Sequence, residues 1–446
     1  MELRMIRFYR AVPALLALAA VLAGCDAFES DTSKTKLPGE RIAVLQTDED
    51  VKPDERIAND TVRLPQPWIN HAWPEGGGLP DHAMQHLDLG DNLKEVWHVS
   101  IGEGSDGDVT HLMSTPIVDR GRIYTIDTEG TVRAFDVKDG SAAWRTNIAP
   151  PGAAASVVSG AIAISGNRLY IATGYAQIVA LDIRNGRELW RENMPAPLRA
   201  APTISDDKLF VVTVDNSTIA MSANDGAKLW THSGINESAG LLGGASPAVG
   251  NGIVISPYSS GELVALRSET GRIAWSENLT AVRRVDAVSA IADIRARPVV
   301  DRGMVFAISH SGRFADIDLR TGERIWDREI PGEQQPWVAG DFVYVLSIGN
   351  ELYCLTRDQG LVRWSTKLPE WENEEDKEDA ITWAGPVLAG DRLIVTGSDG
   401  SAMSISPYTG EILGRQLLAG KTSLPAIVAD RTLYILTDDG DLAAYR

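Results

Sequence analysis

The side chains that usually carry catalysis are present in this sequence, but not in spacings that build a reaction centre. Of seven histidines, only His82 and His86 stand four apart, the separation that would put two imidazoles on one helical face. No glutamate of a His-Glu-x-x-His arrangement accompanies them, so no zinc centre is expected. Hydroxyl side chains are plentiful, yet no Gly-x-Ser-x-Gly turn follows a strand, and the glycine-rich loops that cradle phosphates are missing. The acidic run 370–379 lacks the Asp-x-Asp-x-x-Gly geometry of a calcium loop. It reads as a solvated loop between the sixth and seventh repeats described below, long enough to touch a partner. No catalytic residue, metal ligand or cofactor is assigned.

Cys25 has a different chemistry. Arg4, Arg7 and Arg10 precede an apolar stretch from Ala11 to Leu22 that is too short for a stable membrane span, and Leu22-Ala23-Gly24-Cys25 follows. This run resembles a bacterial lipobox, in which small residues fit the signal peptidase and the cysteine thiol becomes a diacylglycerol thioether. Residues 1–24 are expected to be a signal peptide and Cys25 the lipidated first residue of the mature chain, held to a membrane by acyl chains alone. With Cys354 as the only other cysteine, no disulfide framework is available.

Bulk charge narrows the partners. Sixty-one acidic against 42 basic residues give a net charge of -19, which argues against nucleic acid or an anionic lipid surface as the main ligand.

The elements that would position any site come from a repeat. A Gly-x-x-x-Trp unit recurs at Gly140/Trp144, Gly186/Trp190, Gly226/Trp230, Gly271/Trp275, Gly322/Trp326 and Gly360/Trp364, and Gly410 is followed by Gly414 in the Trp place. Successive Trp-register positions lie 46, 40, 45, 51, 38 and 50 residues apart, the period of a four-stranded propeller blade. Pro116, Pro202, Pro247, Pro298, Pro336 and Pro386 each stand 28 residues before that register, with Ile162 in the second unit. The unit that begins at Pro425 stops before its Trp strand. The missing strand is found as Glu95-Val-Trp97-His-Val-Ser100, 47 residues before Trp144.

Residues 93–446 are therefore expected to form an all-β, eight-bladed propeller, closed by pairing the N-terminal strand with the C-terminal blade. The glycine suits a turn with positive φ, and the Trp buries a flat surface between blades. Ala134, Ala180, Ala220, Ala265 and Cys354 stand six residues before the glycine, so Cys354 reads as a packing residue. Residues 25–92 are expected to be a lipidated tether and extension, with Trp68 and Trp73 as its anchors on the propeller wall.

The form Ala-x-Asp-x-x-x-Gly-x-x-x-Trp, complete at Ala134-Asp136-Gly140-Trp144 and Ala180-Asp182-Gly186-Trp190, resembles the tryptophan-docking repeat of pyrroloquinoline quinone enzymes. Two kinds of protein share it: periplasmic quinone-dependent dehydrogenases and the BamB-like lipoproteins of the outer-membrane β-barrel assembly machinery. The dehydrogenases are typically longer, and many carry an adjacent Cys-Cys pair that this chain lacks. The order of lipobox, polar linker and eight blades is similar to the BamB-like proteins.

That resemblance implies a non-enzymatic scaffold on the periplasmic face of the outer membrane, although Asp26 after the lipidated cysteine leaves inner-membrane retention open. It implies docking on the POTRA domains of a BamA-like barrel protein, beside other assembly lipoproteins and unfolded outer-membrane proteins. A quinone-dependent dehydrogenase or a ligand-binding propeller is the alternative. Two segments carry the implied contacts. In 240–247, Leu241 and Leu242 match a leucine-containing loop whose arginine has no counterpart here. In 293–298, Asp293 matches the first acid of an Asp-Val-Asp, and Arg295 replaces the second.

Overall fold

The computed structural model describes residues 51–446, apart from 108, 154–159, 199, 238–239 and 281–290. The signal peptide, Cys25 and the first part of the extension lie outside the described residues.

Eight antiparallel sheets of four strands follow one another; in seven each strand is hydrogen-bonded to the next in sequence, and the eighth joins an N-terminal strand to the last three. The first blade comprises Ile117–Asp119, Arg122–Ile126, Thr131–Asp136 and Ala142–Asn147. Its three inner strands are apolar and buried, while its outer strand alternates toward solvent, the pattern expected when a sheet stands edge-on to the ring and buries both faces against its neighbours. Successive inner strands touch one another around a central channel.

The repeat residues lock one blade to the next. Each Trp on an outer strand except Trp326, which faces Asp316, lies opposite a small residue of the third strand, as in Trp144 against Ala134, Trp190 against Ala180 and Trp364 against Cys354. The indole then lies on the glycine turn of the following blade. A Cβ at Gly186 would come within 2.5 Å of Trp144, and one at Gly410 within 2.7 Å of Trp364. These glycines also have positive φ, 71° and 78°, so both backbone and contact demand that no side chain be present. The indole Nε1 donates to the carbonyl three residues before that glycine: Trp97 to Val137 at 3.1 Å, Trp230 to Ser268 at 2.8 Å, Trp275 to Leu319 at 2.7 Å and Trp326 to Arg357 at 2.8 Å. In the second blade the Tyr170 hydroxyl takes the equivalent carbonyl, Ala223 O, at 2.9 Å, and the Trp190 Nε1 is left without a partner.

Closure follows the expected route. The strand Glu95–Ser100 pairs antiparallel with Asp441–Tyr445, Trp97 lies opposite Ala444, and Lys94 and Arg446 exchange backbone hydrogen bonds of 2.8 and 3.0 Å. Here two chain ends replace the glycine turn. The seventh blade therefore has no such turn to cover, which accounts for Gly414 in its Trp register. Its outer strand, Ile412–Leu417, is exposed throughout.

Of the two anchors expected on the propeller wall, Trp73 does fix the extension to the ring, whereas Trp68 bonds within the extension itself. Residues 70–87 run once around one mouth of the channel, in blade order, and bond to every inner strand. Asn70 O accepts from Asp430 N after the eighth inner strand, and Trp73 exchanges hydrogen bonds with Val118 of the first. Pro74 O accepts from Ile164, Glu75 Oε1 from Ile204 N, Pro80 O from Val249 and Asp81 O from Val300. Gln85 O accepts from Trp337 Nε1, and Leu87 pairs with Leu388 and Gly390. The channel-facing edges of the inner strands would otherwise leave backbone donors unpaired, and this circuit satisfies them. Trp73 is buried and stacks on Trp337 at 6.4 Å, whereas Trp68 is 40 % exposed and donates to Met84 O within the extension itself.

A candidate partner-binding face

Function has to be sought where the repeat is broken. Two inter-blade loops singled out in the sequence, 240–247 and 293–298, meet in space. The Leu241 N–H donates to Asp293 Oδ2 at 2.8 Å. Gly243 brings the loop close: its φ is +91°, and a Cβ there would lie 2.4 Å from Met113 Cε and 3.5 Å from Arg295 Nε. Asp293 is 5 % exposed. Burial pushes its carboxyl above the usual range, against the Leu241 N–H and the Arg295 charge, which favour the anion.

The network continues into the next blade. Asp293 O accepts from the His310 backbone N–H at 2.9 Å, the His310 Nδ1 bonds Glu333 Oε1 at 2.7 Å, and Arg295 pairs with the other Glu333 oxygen. Burial would raise the Glu333 carboxyl, but the His310 hydrogen bond and Arg295 outweigh it and hold it below the usual range. Arg295 is thus tied to an acid of the loop between the fifth and sixth blades. Leu241 and Leu242 are part-exposed beside this network.

Two hollows flank it. One, of about 520 Å³, is lined by Leu241, Asp293, Asn216, Ser259 and Glu237 among others. The second, of about 560 Å³, is lined by Arg295, Glu333, Ile348, Trp371 and Trp383 among others. Leu242 lines neither. The acidic run 370–379 borders the second hollow and is more than a solvated loop: Trp371–Asn373 and Glu378–Ala380 pair as a two-stranded hairpin. Its carboxylates face water, with Glu372 held by Lys421 at 2.8 Å.

Glu333 and His310 were not expected in the site. His310 carried a chemical signal as one of seven histidines, but nothing in its spacing linked it to Glu333. His82 and His86 are structural: the His82 Nδ1 bonds Pro298 O at 2.7 Å, burial lowers its pKa to about 3, and the His86 Nδ1 bonds Pro65 O at 2.9 Å. Cys354 is fully buried and its thiol is pushed well up by burial, which leaves no nucleophilic thiolate. Among the described residues no group of three His, Cys, Asp or Glu could hold a metal ion.

An eight-bladed ring docked by tryptophans, with polar loop networks in place of a catalytic cluster, defines a propeller of the quinoprotein-repeat class. The sequence profile of the family described as outer membrane protein assembly factor BamB matches residues 128–366, and the chain belongs to that family. It is 25 % identical over 348 residues to the outer membrane protein assembly factor BamB of Yersinia pestis, across 76 % of this chain and 85 % of the relative. The crystal structure of BamB from Moraxella catarrhalis superposes with a TM-score of 0.67 at 22 % identity, covering 80 % of this chain and all of that one. The quinohemoprotein alcohol dehydrogenase of Comamonas testosteroni shares the fold at a TM-score of 0.62 and 12 % identity, across 84 % of this chain and 80 % of that one.

The cavity lined by Trp73, Thr115, Arg297 and Trp337 measures about 30 Å³, room for one or two waters, so a quinone does not fit there.

Proposed function

We propose that this protein is a non-enzymatic scaffold lipoprotein of outer-membrane β-barrel assembly. In this reading Cys25 anchors it to the periplasmic face of the outer membrane, and the face around Leu241, Leu242, Asp293 and Arg295 docks on the POTRA domains of a BamA-like barrel protein. Membership of the assembly-factor family supports the process. The observation that carries the choice of face is the Leu241–Asp293 hydrogen bond, which joins two loops from different blades into one surface flanked by hollows. The small size of the axial cavity and the buried, protonated Cys354 thiol support a scaffold over an enzyme.

The test is crosslinking in cells from photoreactive residues at 241 and 293. Recovery of a BamA-like protein supports the reading, and its absence from both positions overturns the assignment of the face. Purified protein that carries quinone absorbance and oxidises alcohols would overturn the scaffold itself.

A further inference from the structure

The axis of the propeller holds a cation that has no acid partner among the described residues. Arg297 precedes the fifth-blade proline and reaches the small cavity above residues 70–87, whose lining includes Trp73, Gly76, Thr115, Gln334 and Gln335. Arg297 keeps part of its surface exposed, but its Nε is enclosed and has no hydrogen-bond partner. The charge that bears on it is that of Arg295, which repels, and burial lowers its pKa to about 10, still far above neutrality. It stays protonated.

Every other enclosed polar atom lacking a partner in this lining is able to donate. Trp73 Nε1 and Thr115 Oγ1 are both buried without partners, and an indole N–H can only donate. The Gln335 amide nitrogen is already engaged with His82 O at 3.1 Å. No Asp or Glu lines the cavity. Glu75, close by in the extension, is fully buried; burial raises its carboxyl well above the usual range, and one oxygen already accepts from Ile204 N at 3.0 Å.

We propose that this small cavity is a binding site for one small monovalent anion of chloride size, held by Arg297 with Thr115 and Trp73 as donors. Water would satisfy single hydrogen bonds but would bring no opposite charge to a guanidinium whose Nε is enclosed. The cavity volume admits a monatomic ion and excludes anything the size of a cofactor. The ion would also join the extension to the ring, since Trp73 comes from residues 70–87 and Arg297 and Thr115 come from blades. An ion bound only by the folded protein raises its stability with concentration.

The probe is halide. Thermal melting of the protein in sodium chloride, against sodium gluconate at equal ionic strength, should show a saturable chloride-dependent rise in Tm that Arg297→Gln loses. Bromide-soaked crystals should show an anomalous peak within hydrogen-bond distance of Arg297, Thr115 and Trp73. Should Arg297→Gln fail to fold, Thr115→Val keeps the test open by weakening the chloride effect several-fold. An axis that holds only water, or a chloride effect undiminished in the variants, overturns the site. Arg297 shares the segment 293–298 with the partner-binding face, but the halide readouts report on the axial cavity, whereas crosslinking from position 241 reports on that face.

Discussion

Leu241 and Asp293 stand 52 residues apart in sequence, yet the backbone N–H of the first is held by the carboxylate of the second at 2.8 Å. The bond crosses from one blade to the next and fixes the position of a part-exposed leucine by means of a buried acid. Leaving a donor without its acceptor in such a place costs about 1–3 kcal/mol. Asp293→Ala is therefore expected to free the 240–247 loop while the ring survives. Faster hydrogen exchange at Leu241 and reduced crosslinking at position 241, with an unchanged far-ultraviolet spectrum, are the measurements. Asp293→Asn, which keeps an acceptor, should retain most of both.

Asp316 stands in the register that other blades fill with alanine, cysteine or serine, opposite Trp326. It is 1 % exposed, its Oδ1 has no partner, and burial raises its pKa from 3.8 to about 7, against Arg357 and the Ile317 N–H. A carboxyl with a higher pKa folded than unfolded keeps its proton in the native state, so stability falls as pH rises from about 4 toward 7 and then levels. Asp316→Ala should raise Tm at pH 8, change it little at pH 4, and flatten the profile between.

Glu75 lies in the channel circuit with the same sign. Burial lifts its carboxyl well above the ordinary 4.5, and one oxygen has no partner. Its contribution weakens as pH rises past 4.5. Glu75→Gln keeps the acceptor for Ile204 N and removes the titration. Tightened hydrogen-exchange protection of the third inner strand, Thr203–Ser205, above that pH and not below it, is the expected outcome.

Gly410 and Gly414 occupy the same blade four residues apart and should respond in opposite ways. A Cβ at Gly410 meets Trp364 at 2.7 Å and the backbone φ is 78°, whereas a Cβ at Gly414 meets nothing within 4 Å. Gly410→Ala should destabilise by at least about 1–3 kcal/mol through overpacking and strain. Gly414→Ala should be neutral or stabilising by about 0.4–1 kcal/mol, because the unfolded chain loses freedom. Denaturant titration of the two variants separates them.

The ring itself was legible in the sequence. A blade is a local unit, and its prolines, glycines and tryptophans repeat at fixed separations because each copy must solve the same packing problem. Even the closing strand at Trp97 and the odd residue at Gly414 follow from that arithmetic, since the blade split between two chain ends has no turn for a tryptophan to cover. Asp316 was readable in the same register, six residues before Gly322, though its protonation state depends on how closely Phe306, Trp326 and Arg357 enclose it.

What tertiary structure alone decided lacks any period. Residues 70–87 carry no repeat because their hydrogen bonds go to eight different strands, each reached once, so no spacing within the segment could announce them. The hairpin in the acidic run, the Arg295–Glu333–His310 network and the axial Arg297 are of the same kind. Each depends on which loops the closed ring brings side by side, and that adjacency exists only once Trp97 has joined Ala444.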